Sequence, residues 1–163
     1  MDDPSHGGDV RAPQIEDVVS ICSSLNQAGA RYLLIGGFAV IAHGAGRTTK
    51  DIAFLVDPDP ANVGRITEAL SFLPDGAARE VKATDVAEYS VVRIADEVMI
   101  DLLAVACGVT YASAYPDSQV FEIDGIDIPI ASKETLIATK NTVRPSDHMD
   151  RDFLQALIDE ERS

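Results

Sequence analysis

Two aspartates and a glycine pair are the residues of this 163-residue chain best suited to chemistry. Asp51 opens the run Asp51-Ile52-Ala53-Phe54, and Asp101 sits inside Met99-Ile100-Asp101-Leu102-Leu103. Both runs read as short strands. An aspartate among apolar neighbours is costly to bury unless it is paired or bound to a cation. The other reading of Asp101 is a part-exposed residue on an edge strand. On a strand, positions 51 and 53 point to the same face. Aspartates at both would share a divalent cation, the usual means of bringing a nucleotide's phosphates into reaction. Position 53 is alanine, so a ligand is missing where one is expected. Asp57 has the same parity but lies about 13 Å further along an extended strand, where it suits a turn or a helix cap.

Gly36 and Gly37 directly follow the apolar run Tyr32-Leu33-Leu34-Ile35 and precede a brief helix, Phe38 to His43. Such a pair lets backbone N–H groups approach a phosphate closely. Many strand-to-helix turns contain glycine, so the pair decides nothing alone. Cations follow in the last third of the chain. Lys133 and Lys140, seven residues apart on one expected helix, share a face and would either neutralise phosphate or be solvated. Arg47, in a loop, is a nucleotide or partner contact or a residue without function. Asp147 and Asp150 either orient basic residues such as Arg144 or favour the N-terminus of the last helix. His43 suits a structural helix end.

The elements that must position these residues are short and alternate in type. Apolar spacing predicts a helix from Pro13 to about Ala28, stopped by Gly29. Tyr32–Ile35 and Asp51–Val56 read as strands, the second ended by Asp57-Pro58-Asp59-Pro60, which caps a helix running to Phe72. Strands are expected over Tyr89–Ile94 and Val98–Val105, joined by a turn at Ala95-Asp96-Glu97. Asp124-Gly125 marks a hairpin between Phe121–Ile123 and Ile126–Ile130. Ser132 caps a helix to about Asn141, and after Pro145 a last helix starts at Ser146 or Asp147. Met149, Phe153, Leu154, Leu157 and Ile158 would form its apolar face. The expected organisation is a tail over 1–12 and a single domain over 13–163, with a core to residue 130 and C-terminal helices beyond. It is a mixed α/β (α+β) domain on a small sheet with a helical tail.

Composition narrows the partners. Hydrophobic residues make up 46% and charged residues 25%, ordinary for a folded domain. No apolar run is long enough to span a bilayer, and the polar start Met1-Asp2-Asp3-Pro4 does not read as a targeting segment. Cys22 and Cys107 lack metal-ligand spacing and suit idle thiols in a reducing, cytoplasmic setting. The net charge is −14, from 13 basic and 27 acidic residues. That balance argues against an extended nucleic-acid groove, which needs a basic footprint. A local patch from Lys133, Lys140, Arg144 and Arg151 remains open, and a cationic small molecule or basic partner suits the global field. Solubility alone is the other explanation of the charge.

Gly36-Gly37, His43-Gly44 and Arg47-x-Thr49-x-Asp51-Ile52-x-Phe54 together resemble the signature of the DNA polymerase beta-type nucleotidyltransferases. The branch they most resemble is the AbiEii-like group, which includes toxins of type IV toxin–antitoxin systems. That signature expects Asp-x-Asp and a third acid on a later strand, a place matched by Asp101. Lys133 through Lys140 and Arg144-Pro145-Ser146-Asp147-His148-Met149-Asp150 are similar to the group's later motifs. The resemblance spans roughly residues 30–157 and implies the minimal nucleotidyltransferase fold. It also implies Mg²⁺ or Mn²⁺ on Asp51 and Asp101, and an NTP held through Gly36, Gly37, Lys140, Lys133 and Arg47. The acceptor hydroxyl would belong to tRNA or to a small molecule such as an aminoglycoside or lincosamide, and a cognate antitoxin is an expected partner. The departure is Ala53. Either a substitution introduced experimentally disabled the enzyme, or this is a natural nucleotide-binding pseudoenzyme or antitoxin-like partner. In both cases the metal site is impaired.

Overall fold

The structure is a computed structural model that describes residues 10–163. Of the expected N-terminal tail, residues 1–9 lie outside the described residues. Within that expected tail, the Arg11 amide donates to the Glu97 carbonyl at 3.1 Å and its guanidinium pairs with Asp17 at 2.6 Å.

Helix α1 (Ile15–Gln27) buries Val18, Ile21, Cys22 and Leu25, the stripe its periodicity predicts. Strand β1 (Tyr32–Ile35) is wholly buried and runs straight into α2 (Gly36–Ala42). Strand β2 (Asp51–Val56) leads to α3 (Pro60–Ala69), where the Asp59 carboxylate accepts from the Ala61 amide and Pro60 occupies the first helical position. A short helix α4 (Asp85–Glu88) precedes β3 (Val92–Ala95) and β4 (Met99–Leu103). A small ribbon, β5 (Val105–Ala106) with β6 (Val109–Thr110), and one turn of helix, α5 (Tyr111–Ala114), lead to the hairpin β7 (Gln119–Ile123) and β8 (Ile126–Ile130). The chain ends in α6 (Lys133–Thr139) and α7 (Pro145–Arg162).

The main sheet has six strands in the order β3-β4-β2-β1-β8-β7. Strands β1 and β2 are antiparallel, β2 and β4 parallel, and β3 and β4 antiparallel. This is the mixed sheet flanked by helices that the sequence predicts, with α7 packed on α6 at the C-terminus. The hairpin turn forms where Asp124-Gly125 places it, with positive φ at both residues (50° and 78°).

Three expectations shift. The strand predicted over Tyr89–Ile94 is shorter, because Tyr89 caps α4 and is exposed. Helices of one turn, such as α4, are too short to show apolar periodicity. Pro145 does not interrupt a helix; it opens α7, where its missing N–H costs nothing. The inward face of α7 is also different. Met149 is 69% exposed, whereas Asp147, Asp150, Leu154 and Ile158 are buried. The first two turns of that helix therefore direct two carboxylates inward.

Candidate active site

The site begins with strand register. Ile35 of β1 lies opposite Ala53 of β2, Ala53 opposite Asp101 of β4, and Asp101 opposite Arg93 of β3. Cross-strand partners share a face, so these four residues form a row across four adjacent strands. Asp51 stands one step along on the same face, opposite Met99. Their alternate neighbours Ile52, Phe54, Ile100 and Leu102 point the other way into the core. Apolar burial behind the sheet thus fixes which carboxylates face the open side.

Gly36 and Gly37 lie over this row. Gly36 has φ +72°, and a Cβ there would come within 3.1 Å of the Ala53 Cβ. A Cβ on Gly37 would meet Thr49 at 2.7 Å. Close packing of α2 on β2 and on the loop that precedes it therefore requires both glycines, whatever ligand they face.

A cavity of about 520 Å³ opens here, lined by Gly36, Gly37, Asp51, Ala53 and Asp101 on one side and by Arg47, Lys140, Arg144, Asp147 and Asp150 on the other. The structure thus brings the sequence-selected candidates together, with one exception. Lys133 does not line the cavity; its ammonium pairs with Glu161 of α7 at 2.7 Å. The shared face expected for Lys133 and Lys140 fails because α6 ends at Thr139, and Lys140 leaves helical geometry at φ −108°.

The helical wall is a closed ionic network. Lys140 Nζ lies 3.0 Å from Asp150 and 3.5 Å from Asp147. Arg47 binds Asp150 at 2.5 Å, and Arg144 binds Asp147 at 2.8 Å. Thr142 Oγ1 donates to Asp147 at 2.6 Å. Burial alone would raise Asp147, but hydrogen bonds from Thr142 and Arg144 and the charge of Lys140 outweigh it, and the carboxyl sits below its ordinary value. Arg151 donates to the backbone carbonyls of Lys140 and Thr142, fixing the loop between the helices.

The strand wall holds a residue that sequence reasoning missed. Arg93 grips Asp101 with two hydrogen bonds, Nε–Oδ1 at 2.8 Å and Nη2–Oδ2 at 3.0 Å. It also reaches to 3.8 Å from Asp51. Burial, then the neighbouring Asp101, pushes the Asp51 carboxyl above its ordinary value, and Arg93 and Arg144 offset this in part. The available signal was the odd charge in Val92-Arg93-Ile94, on the parity facing Asp101. Lys50 was also missed: it lines the cavity, is exposed, and has no ion pair among the described residues.

These residues do not fit the Mg²⁺ or Mn²⁺ expected on Asp51 and Asp101. Divalent cations of this kind need several oxygen ligands at about 2.1 Å. Position 53 offers a methyl group, and both Asp101 oxygens already accept from Arg93. Among the described residues, no group of three or more potential ligand side chains converges anywhere.

No known family profile matches the chain, and no curated protein matches it by sequence. Solved structures do match. The lincosamide antibiotic adenylyltransferase LnuA, in a lincomycin-bound crystal structure, superimposes with a TM-score of 0.62 at 15% identity. That match covers 89% of this chain and 98% of LnuA. The fold is that of the nucleotidyltransferases. A Thermotoga maritima protein provisionally assigned as a nucleotidyltransferase agrees, with a TM-score of 0.55 and 12% identity over 95% of this chain and 98% of that one. No helix among the described residues is long and apolar enough to cross a membrane.

Proposed function

We propose that this protein binds a nucleoside triphosphate in the cavity and transfers its nucleotidyl group to a hydroxyl of a small, cationic acceptor, forming a phosphodiester at the α-phosphate as the α–β bond breaks and pyrophosphate leaves. The observation that carries the reading is the lining itself. Five basic residues, Arg47, Lys50, Arg93, Lys140 and Arg144, converge with four aspartates in a chain whose net charge is −14. A cluster of basic side chains in an acidic protein favours a polyphosphate at this cavity. Lys140, deep in the network, orders the helical wall. Lys50, which has no ion pair among the described residues, and Arg144, which is bound to Asp147 but whose side chain is 72% exposed, are the cations best placed to meet phosphate, in the cavity that the Gly36-Gly37 backbone also lines. Asp51 and Asp101 flank the place where an acceptor hydroxyl would lose its proton. With alanine at 53, transfer is slow, and any Mg²⁺ enters as part of the nucleotide substrate. The acidic surface attracts a cationic acceptor, in keeping with the lincosamide enzyme of the same fold.

A second reading keeps the chemistry and changes the acceptor to tRNA, as in a growth-inhibiting toxin held by an antitoxin. Favouring it, Arg11, Lys50 and Arg93 line a second cavity of about 510 Å³ that adjoins Asp51. Equilibrium binding of α-labelled NTPs, followed by transfer assays on aminoglycosides, lincosamides and tRNA with the wild type and Ala53→Asp, separates the readings. Label on a small amine supports the first, and label on tRNA the second. Failure of both proteins to bind any NTP would overturn both.

A further inference from the structure

We infer that Arg93 stands where a divalent cation would, closing the Asp51–Asp101 pair to metal, so that the cavity engages its anionic ligand without a resident ion. The inference depends on the nucleotide reading only for the identity of that ligand. Three observations carry it. Arg93 lies directly opposite Asp101 in the β3–β4 register, so the contact is built into the sheet and not left to a wandering side chain. Its fork engages both Asp101 oxygens, at 2.8 and 3.0 Å, and its Nη2 lies 3.8 Å from Asp51. On the far side of Asp101 the row continues to Ala53, which offers an entering ion no oxygen.

Charge and geometry then favour the arginine. Two carboxylates with one guanidinium leave a single negative charge at this wall. An entering ion must first break a bidentate, charge-assisted pair, among the stronger contacts a side chain makes. Arginine stays protonated at any working pH, so base does not open the lock. The loss of a ligand at 53 and the presence of a cation on the neighbouring edge strand are thus two halves of one arrangement. The competing view is an ordinary surface ion pair, since the Arg93 side chain is 59% exposed. The two views differ in what they say about metal.

Mn²⁺ alone is the probe, titrated into the full chain and followed by loss of the free-ion paramagnetic signal. The wild type and Asp101→Asn should titrate alike, showing only diffuse binding to the acidic surface. Arg93→Ala and Arg93→Gln should each acquire a site at least about tenfold tighter than any in the wild type, the scale on which groups around a ligand tune affinity. That site should vanish when Asp101→Asn is added. A discrete wild-type site that Asp101→Asn abolishes would overturn the inference. So would Arg93 variants that keep the wild-type circular dichroism and gain no site. In a parallel ATP titration in EDTA and in Mg²⁺, the wild type should bind in EDTA as well, and binding confined to Mg²⁺ would count against engagement of the ligand without an ion. If ATP binds in neither buffer, the nucleotide reading falls while the Mn²⁺ result still decides the role of Arg93.

Discussion

The two walls of the cavity solve the problem of buried charge in opposite ways. On the helical wall, three cations meet two aspartates, and each carboxylate has at least two partners. On the strand wall, two aspartates share one arginine, and Asp51 is left with only a distant contact. One wall is satisfied and buried; the other is under-paired and half open. Groups whose ionisation costs the fold are kept where they meet ligand, and groups that secure the fold are neutralised internally. The strand wall is therefore the place to look for chemistry, and the helical wall for stability.

The largest effect should come from breaking the satisfied wall. Lys140→Ala strands Asp147 and Asp150, both buried, without their shared ammonium. Removing one partner of such a network costs about 3 kcal/mol or more, or roughly 6–12 °C in Tm for a chain of this size. Thermal unfolding followed by circular dichroism checks this, and a loss under 2 °C would mean that Arg47 and Arg144 suffice. Lys133→Ala removes one pairing, with the exposed Glu161, and the packing of a side chain that is 12% exposed, and serves as the comparison outside the network.

A smaller effect appears in acid. The Asp147 carboxyl has a folded pKa below its unfolded value near 4. Its stabilisation is fully present above the unfolded value and is lost as pH falls through the folded one. Tm should therefore drop more steeply below about pH 4 in the wild type than in Asp147→Asn. Equal slopes would show that this carboxylate does not couple folding to protons.

The difference between the walls also explains what the sequence disclosed. Asp51 and Asp101 were legible because each breaks a short apolar run, and period-two alternation put 51 and 53 on one face. The cap at Asp59-Pro60 and the turn at Asp124-Gly125 were legible because their chemistry is local. Arg93 was not, because its meaning depends on register. A turn centred on Asp96 would set Arg93 against Met99, whereas the observed pairing of Ala95 with Met99 sets it against Asp101. The register is fixed by Asp96 itself, whose buried carboxylate accepts from the amides of Asp75, Ala77 and Glu97 at 3.0, 2.9 and 2.7 Å. The inward aspartates of α7 were misread for a similar reason. Apolar residues were assigned to the buried face, yet Lys140 and Arg47 arrive from other elements to make Asp147 and Asp150 the better buried partners.

The smallest effect has the opposite sign, and so separates the walls most sharply. The Asp51 carboxyl is raised above its unfolded value, through burial first and Asp101 second. Its ionised form therefore opposes folding above the folded pKa, and that penalty fades as pH falls toward the unfolded value. Asp51→Asn removes the charge in a side chain of nearly the same shape and should raise the neutral-pH Tm. The side chain is 36% exposed, so solvent screens the effect. A gain below about 1 kcal/mol corresponds to roughly 1–3 °C. The gap between variant and wild type should close as the pH is lowered toward 4, where the wild-type carboxyl takes up its proton. Asp51→Asn should also weaken transfer, giving a more stable and less active protein. A variant that is instead less stable at neutral pH would place Asp51 with the satisfied groups of the helical wall, and the division between the two walls would fail at its most exposed member.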